Sequence, residues 1–277
     1  MDLYRPGYFD REAIARVRPR MEQTRCAGLF VSGSLDALAA PCVAIVGSRA
    51  PSELGRRLAR STAQRLARSG VCVVSGLALG IDAAAHEGAL DAGAPTVGVL
   101  GGGHRRFFPR RNVALAERII AGGGAVVSPF EPDHRSQPFQ FLQRNAIIAA
   151  LADAVAVVEA AERSGSLNTA SWATDLGLPV FAFPGDVDRP KVAGCLALLR
   201  DGATLVRGAG DILEGLGLKP VALAEPRAAS HSADEPLIRL YRSGVRDIDA
   251  LIAPTGLPAA AVSAALTRLE LEGLLAS

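Results

Sequence analysis

The chain is poor in cysteine, nearly without lysine, low in aromatics, and free of long apolar runs. Four cysteines in 277 residues, Cys26, Cys42, Cys72 and Cys195, stand far apart with no CxxC or Cys/His spacing. That leaves no framework for a disulfide scaffold or a zinc site. Of 30 basic residues only Lys191 and Lys219 are lysine; arginine makes up the rest, and its planar fork of donors suits phosphate and stacks on bases. No stretch reaches the roughly 20 apolar residues of a membrane span. The N-terminal MDLYRPGYFDRE carries charge where a secretory leader is apolar, so the chain is read as cytoplasmic. GxxxxGK[ST] is missing, and GSRAPS stands where a GxGxxG fingerprint would follow the first regular strand. Ser75 in VSGLA makes no GxSxG elbow. His86, His104, His134 and His231 fall in no triad-like or metal-binding pattern. These gaps argue against hydrolase, dinucleotide and metal chemistry, and no cofactor is expected.

What is present is a regular pattern. Hydrophobic residues make up 49% of the chain. From Pro41 onward, short β-branched runs at 42–47, 71–76, 96–101, 125–130, 154–160 and 179–185 are apolar on both faces, as buried parallel strands are. Helical stretches at about 52–69, 80–92, 110–121, 138–151, 166–176 and 191–200 alternate with them. This order predicts an α/β fold, a doubly wound and mostly parallel sheet. Residues 1–40 read as an N-terminal extension packing on the core, with a helix within 10–21 and a short strand at 28–31. The main domain is placed at 41–215 and a linker at 216–233. Helices near 234–242, 246–253 and 258–272 then give a small winged-helix outline over 234–277. Charge is uneven: residues 41–208 carry 18 basic and 14 acidic side chains, residues 209–277 carry 6 and 9. The third helix of the tail, the usual reading helix, has one base, Arg268, which favours a protein contact over a duplex contact.

In an open parallel sheet, ligands bind beyond the carboxyl ends of the strands. Five loops there carry the candidate binding groups. Gly47-Ser48-Arg49 follows the first strand, where a small turn, a hydroxyl, a guanidinium and a helix N-terminus meet. The second loop runs Ser75-Gly76 to Asp82, the acid being a cap or a brace for a neighbouring loop. The third, Gly101-Gly102-Gly103-His104-Arg105-Arg106 with Phe107 and Phe108, suits a backbone track with stacking surfaces; it also fits a solvated surface loop. Upstream of the fifth strand lie Arg135, Phe139, Phe141, Arg144 and Asn145, the phenylalanines being either core or stacking groups. The fifth loop, Ser164-Gly165-Ser166 with Thr169, has the form of a phosphate cradle. Each loop alone also fits an ordinary turn; together they describe a row of donors for several phosphates of a single strand.

In this order and spacing, GSR (47–49), SGLALGIDAAAH (75–86), FLQRNAIIAAL (141–151), VVEAAERSGSLNTA (157–170), FPG (183–185) and GCLALLRDGATLV (194–206) resemble the DprA/Smf family. TGLPAAAVSAALTRLELEGLL (255–275) resembles its winged-helix domain. The resemblance implies an extended Rossmann-like fold, binding of single-stranded DNA, loading of RecA, contact with single-strand-binding protein, a homodimer and no enzymatic activity. Residue by residue it implies DNA contacts at Arg49, Arg144, Asn145, Ser164, Gly165, Ser166 and Thr169. Leu196, Leu199 and Leu205 are the expected dimer contacts. The chain departs from the family where RNR becomes Arg144-Asn145-Ala146 and where the third loop trades tyrosine for arginine and phenylalanine. The competing reading is a phosphoribohydrolase-like nucleotide enzyme, whose loop PGGxGTxxE corresponds to SGSLNT; Trp172 stands where its glutamate would be.

Overall fold

The structure, a computed structural model, describes residues 2–219, 235–243 and 247–255, and the single positions 245, 262, 263, 265, 266 and 269. The chain divides into two compact units, 1–221 and 222–277.

The first unit is built on one nine-stranded sheet. Its strands in chain order are β1 (Gly7–Asp10), β2 (Gly28–Gly33), β3 (Cys42–Gly47), β4 (Cys72–Ser75), β5 (Thr96–Val99), β6 (Ala125–Ser128), β7 (Ala154–Val158), β8 (Val180–Ala182) and β9 (Thr204–Leu205). The spatial order is β1-β2-β6-β5-β4-β3-β7-β8-β9. From β6 to β9 every pairing is parallel, while β2 joins β6, and β1 joins β2, antiparallel. The helices are α1 (Arg11–Ala15), α2 (Glu53–Arg68), α3 (Ile81–Asp91), α4 (Val113–Ala121), α5 (Pro138–Ala150), α6 (Gly165–Asp175), α7 (Ala193–Arg200) and α8 (Ala209–Gly215).

The strands form because their β-branched runs have an apolar layer to meet on each side. Val43 and Ile45 of β3 point to one core with Ala59, Ala63 and Leu66 of α2, while Cys42, Ala44 and Val46 point to the other with Ile147 and Ile148 of α5. The α2 stripe at 59, 62, 63, 66 and 67 is the amphipathic spacing of a helix lying on a sheet. Ser52 caps α2 by accepting from the Gly55 N–H at 3.0 Å.

The first 40 residues differ from the expected extension: β1 and β2 are strands of the sheet itself, and β2 covers the edge of β6. The helix expected within 10–21 is cut to α1, capped by Asp10, and followed by a 3₁₀ turn at Pro19–Gln23, because Pro19 lacks the N–H that would continue it. In the second unit, α9 (Glu235–Arg242) and α10 (Ile248–Thr255) contribute Leu237 and Leu251 to a buried cluster with Val262, Ala265, Leu266 and Leu269. The linker residues 220–233 and most of the helix expected at 258–272 lie outside the described residues. No helix among the described residues is long and apolar enough to cross a membrane.

Candidate nucleic-acid interface

The carboxyl ends of β3, β4, β5 and β7 bring the predicted loops to one rim. At the end of β3, the Ser48 N–H donates to the Glu159 carbonyl at 2.7 Å, and the Ser48 carbonyl accepts from Ile81 N–H at 3.1 Å. Arg49 leaves this braced turn exposed, its guanidinium 5.3 Å from the centre of the Phe141 ring. Glu159, at the end of β7, takes a left-handed backbone with φ 51°. Its carboxylate accepts from the Ser52 N–H at 2.6 Å and from the Ser52 hydroxyl. The N-terminus of α2 is therefore already faced by a carboxylate, which offsets its partial positive charge. This weakens the helix-dipole part of the reading of the GSR loop. A partner 107 residues away leaves no local trace in sequence.

Beneath this turn, Leu77 also takes a left-handed backbone, φ 55°, and is fully buried. Asp82 holds the loop by accepting from Gly76 N–H at 3.1 Å and Ala78 N–H at 3.3 Å. Burial pushes the Asp82 carboxyl up, against the pull of the Arg144 charge. Arg144, expected as a DNA contact, is only 3% exposed. Its Nη1 donates to the Gly76 carbonyl and to the Val99 carbonyl, the latter at 2.6 Å. Burial lowers its pKa to about 10, with Asp82 opposing and Arg49 adding to the fall, so it remains a cation at neutral pH.

Two glycines read as points of phosphate approach have a different task. A Cβ on Gly76 would lie 2.1 Å from Arg144 Nη1, and one on Gly101 would lie 2.6 Å from Phe141 Cδ1. Both residues are buried, and they leave room for side chains of α5 rather than for a ligand.

The fifth loop opens α6. The Ser164 hydroxyl accepts from Ser166 N–H at 3.3 Å and lies 2.7 Å from the Ser166 hydroxyl. Asn145 Nδ2 donates to the Gly165 carbonyl at 3.0 Å and to Asn168 Oδ1 at 3.3 Å, tying α5 to α6. Thr169 is 1% exposed, and its hydroxyl has no hydrogen-bond partner among the described residues.

These groups enclose two cavities. The inner one, about 500 Å³, is lined by Ser48, Arg49, Asp82, Arg144, Asn145, Ser164, Gly165, Ser166 and Thr169, with Phe141, Leu142 and Ile148 as its main apolar wall. The outer one, about 1150 Å³, is lined by Tyr4, Arg49, Arg105, Arg106, Phe107, Phe108, Arg110, Arg135 and Phe141. Arg49 and Phe141 belong to both and form the ridge between them. Phe108 is 56% exposed and meets the Phe141 ring edge-on at 6.0 Å, whereas Phe107 is buried in the core around α4. Arg105 is paired with Asp133 and donates to the Tyr4 carbonyl, so its charge is partly spent. Arg49, Arg106, Arg110 and Arg135 make no ion pair among the described residues. Arg110 belongs to the basic stretch of the third loop, whereas Tyr4 carries no signal in the sequence: only the sheet position of the N-terminal residues puts it here.

Leu196, Leu199 and Leu205 lie elsewhere, on α7 and on the edge strand β9; Leu205 is exposed and the other two are partly buried.

Residues 17–217 match the model of the family described as DNA recombination-mediator protein A. The chain belongs to this family. Residues 221–277 match the DprA winged helix domain, so the second unit is a winged-helix domain of the DprA type. A putative DNA processing protein DprA of Mycobacterium tuberculosis is 41% identical over 269 residues, 95% of this chain and 69% of that one. Protein Smf of Escherichia coli is 40% identical over 259 residues, 90% and 69% of the two chains. The X-ray structure of DprA from Streptococcus pneumoniae superposes with a TM-score of 0.69 at 37% identity, covering 76% of this chain and 74% of that one. DprA from Helicobacter pylori, whose structure is described for a unique single-stranded DNA binding mode, gives 0.67 at 28% identity, with 77% and 97% covered. The α/β, Rossmann-like core with a winged helix is thus common to the DprA family and this chain.

Proposed function

We propose that this protein binds the backbone of single-stranded DNA along the rim, without cleaving it, and delivers the strand to RecA during recombination. The observation that carries the reading is the convergence of four arginines without ion pairs among the described residues, Arg49, Arg106, Arg110 and Arg135, with the donors that open α6 and the Phe108–Phe141 pair. Guanidinium groups neutralise phosphates and release counterions. Aromatic faces accept bases of any sequence, each worth about 1–3 kcal/mol. Ser48, Ser164, Gly165 and Ser166 supply neutral donors to phosphate oxygens. Arg144 and Asn145 act from beneath: the first positions Phe141 and the strand ends, the second fixes the start of α6.

The family description, a recombination mediator, supports RecA as the recipient, and the H. pylori relative supports a single strand as the ligand. Two protomers joined through α7 and β9, around Leu196, Leu199 and Leu205, would present two strands at once. Single-strand-binding protein is the natural competitor for the same strand, in the cytoplasm. The phosphoribohydrolase-like alternative lacks its acid. Trp172, half-buried against the core, holds the position of the glutamate, and Asp82, the carboxylate lining the inner cavity, is committed to Gly76, Ala78 and Arg144.

The test is anisotropy of labelled oligo-dT against salt. Arg49→Ala should weaken binding several-fold and lower the slope of log K against log salt by about 1. Unchanged affinity and slope in Arg49→Ala and in Arg110→Ala would remove this site.

A further inference from the structure

We infer that the inner cavity also takes a free nucleoside 5′-monophosphate, held without cleavage, which competes with single-stranded DNA. The competition rests on the function proposed above; the binding itself does not. A strand that follows the rim needs a surface. What lies beside the rim is a recess of about 500 Å³, within the size range of small-molecule sites, and with two chemically distinct ends.

One end is polar. The helix α6 starts here, with the hydroxyls of Ser164 and Ser166, and Ser48 faces the same space. Arg49 supplies a cation at the mouth. Asp82 lines the recess, but its carboxylate is held by two N–H groups and lies beside the Arg144 charge, so no unopposed anion repels a phosphate. The second, independent observation is Thr169: it lines the recess, is 1% exposed, and its hydroxyl is unpartnered among the described residues. Buried polar groups normally find a partner, and one that lacks it beside a cavity points to a ligand atom. Asn145 adds an acceptor, because its Nδ2 is spent on Gly165 and Asn168 while Oδ1 has no partner among the described residues.

The other end is apolar. Phe141, Leu142 and Ile148 offer a face for a base. A sugar between the two ends completes a mononucleotide, and no free carboxylate lines the recess to assist departure of the base.

The experiment titrates the full-length protein with dTMP by calorimetry and, in parallel, displaces labelled oligo-dT. The expected result is one dTMP per chain, displacement of the oligonucleotide, recovery of intact dTMP by chromatography, and weaker binding of thymidine and of inorganic phosphate. Thr169→Val should weaken dTMP by about three- to tenfold, the worth of one neutral hydrogen bond, and Thr169→Ser should restore it. Absence of heat and of displacement at about 5 mM dTMP, where even millimolar binding registers, overturns the inference while leaving oligo-dT binding intact. Binding of dTMP that does not displace the oligonucleotide, or that ignores Thr169→Val, overturns it too, as does release of free thymine. If dTMP binds but oligo-dT does not, the single-strand reading falls and the nucleotide site remains.

Discussion

Acid should weaken this protein through His86, a histidine of α3 that lies fully buried under the rim. Thr96 Oγ1 donates to the Val73 carbonyl at 2.6 Å, so at 2.9 Å from His86 Nδ1 it must accept, and Nδ1 carries the proton. Nε2 has no hydrogen-bond partner among the described residues. Burial, then the nearby Arg144 charge, pushes the His86 pKa from 6.5 to about 3, with the Ser75 carbonyl opposing. The folded state therefore stays unprotonated in a range where the unfolded chain takes up a proton. Stability is full above pH 6.5 and falls as pH drops toward 3. Between pH 7 and pH 5 this single group removes about 2 kcal/mol, a large share of a net stability of about 5–15 kcal/mol. His104 is shifted in the same direction by burial and adds to the loss. Urea unfolding at pH 7 and pH 5 measures the difference, and His86→Gln should remove about 2 kcal/mol of it. An identical pH dependence in wild type and variant, or a folded-state His86 imidazole that titrates near 6.5 by NMR, would refute the reasoning.

Arg144→Met leaves two carbonyls and Asp82 buried without their cation, and urea unfolding should report a loss of about 3–5 kcal/mol. Oligo-dT affinity should drop with it, because Phe141 loses its support. Gly101→Ala forces Phe141 off its seat: the expected cost is about 1–3 kcal/mol of stability, with weakened oligo-dT binding that Gly102→Ala, facing Ser136 rather than the ridge, does not reproduce to the same degree. Removing residues 234–277 should leave single-strand affinity mostly intact by anisotropy; its abolition would move part of the site into the winged-helix domain.

The parallel sheet was legible because each strand from β3 to β8 is a short run apolar on both faces, followed by a turn and an amphipathic helix. The two-residue β9 carries no such run and escaped notice. The exposed β1, Gly7–Asp10, has four solvent-facing residues and no hydrophobic alternation, so its membership of the sheet depends on pairing with β2 alone. At the rim, residue types were readable and their tasks were not. Gly76 and Gly101 look like phosphate-binding glycines in any window of sequence; what a Cβ there would meet is decided by α5, more than 35 positions later. Arg144 and Arg110 are both arginines in basic or polar surroundings, yet one is buried and the other open. That distinction comes from the helix phase of α5, where Gln140, Arg144 and Ile147 share the buried side.

The bracket made by Glu159 has one more consequence. A single residue at the end of β7 clasps the turn after β3 through both its carbonyl and its carboxylate, a few positions before the turn that starts α6. The two loops are thereby locked at a set separation when the chain folds, and they act as a gauge rather than as independent fingers. Whatever polyanion settles there must adjust its own repeat to that gauge, so compliance in the ligand, more than sequence, decides what fits.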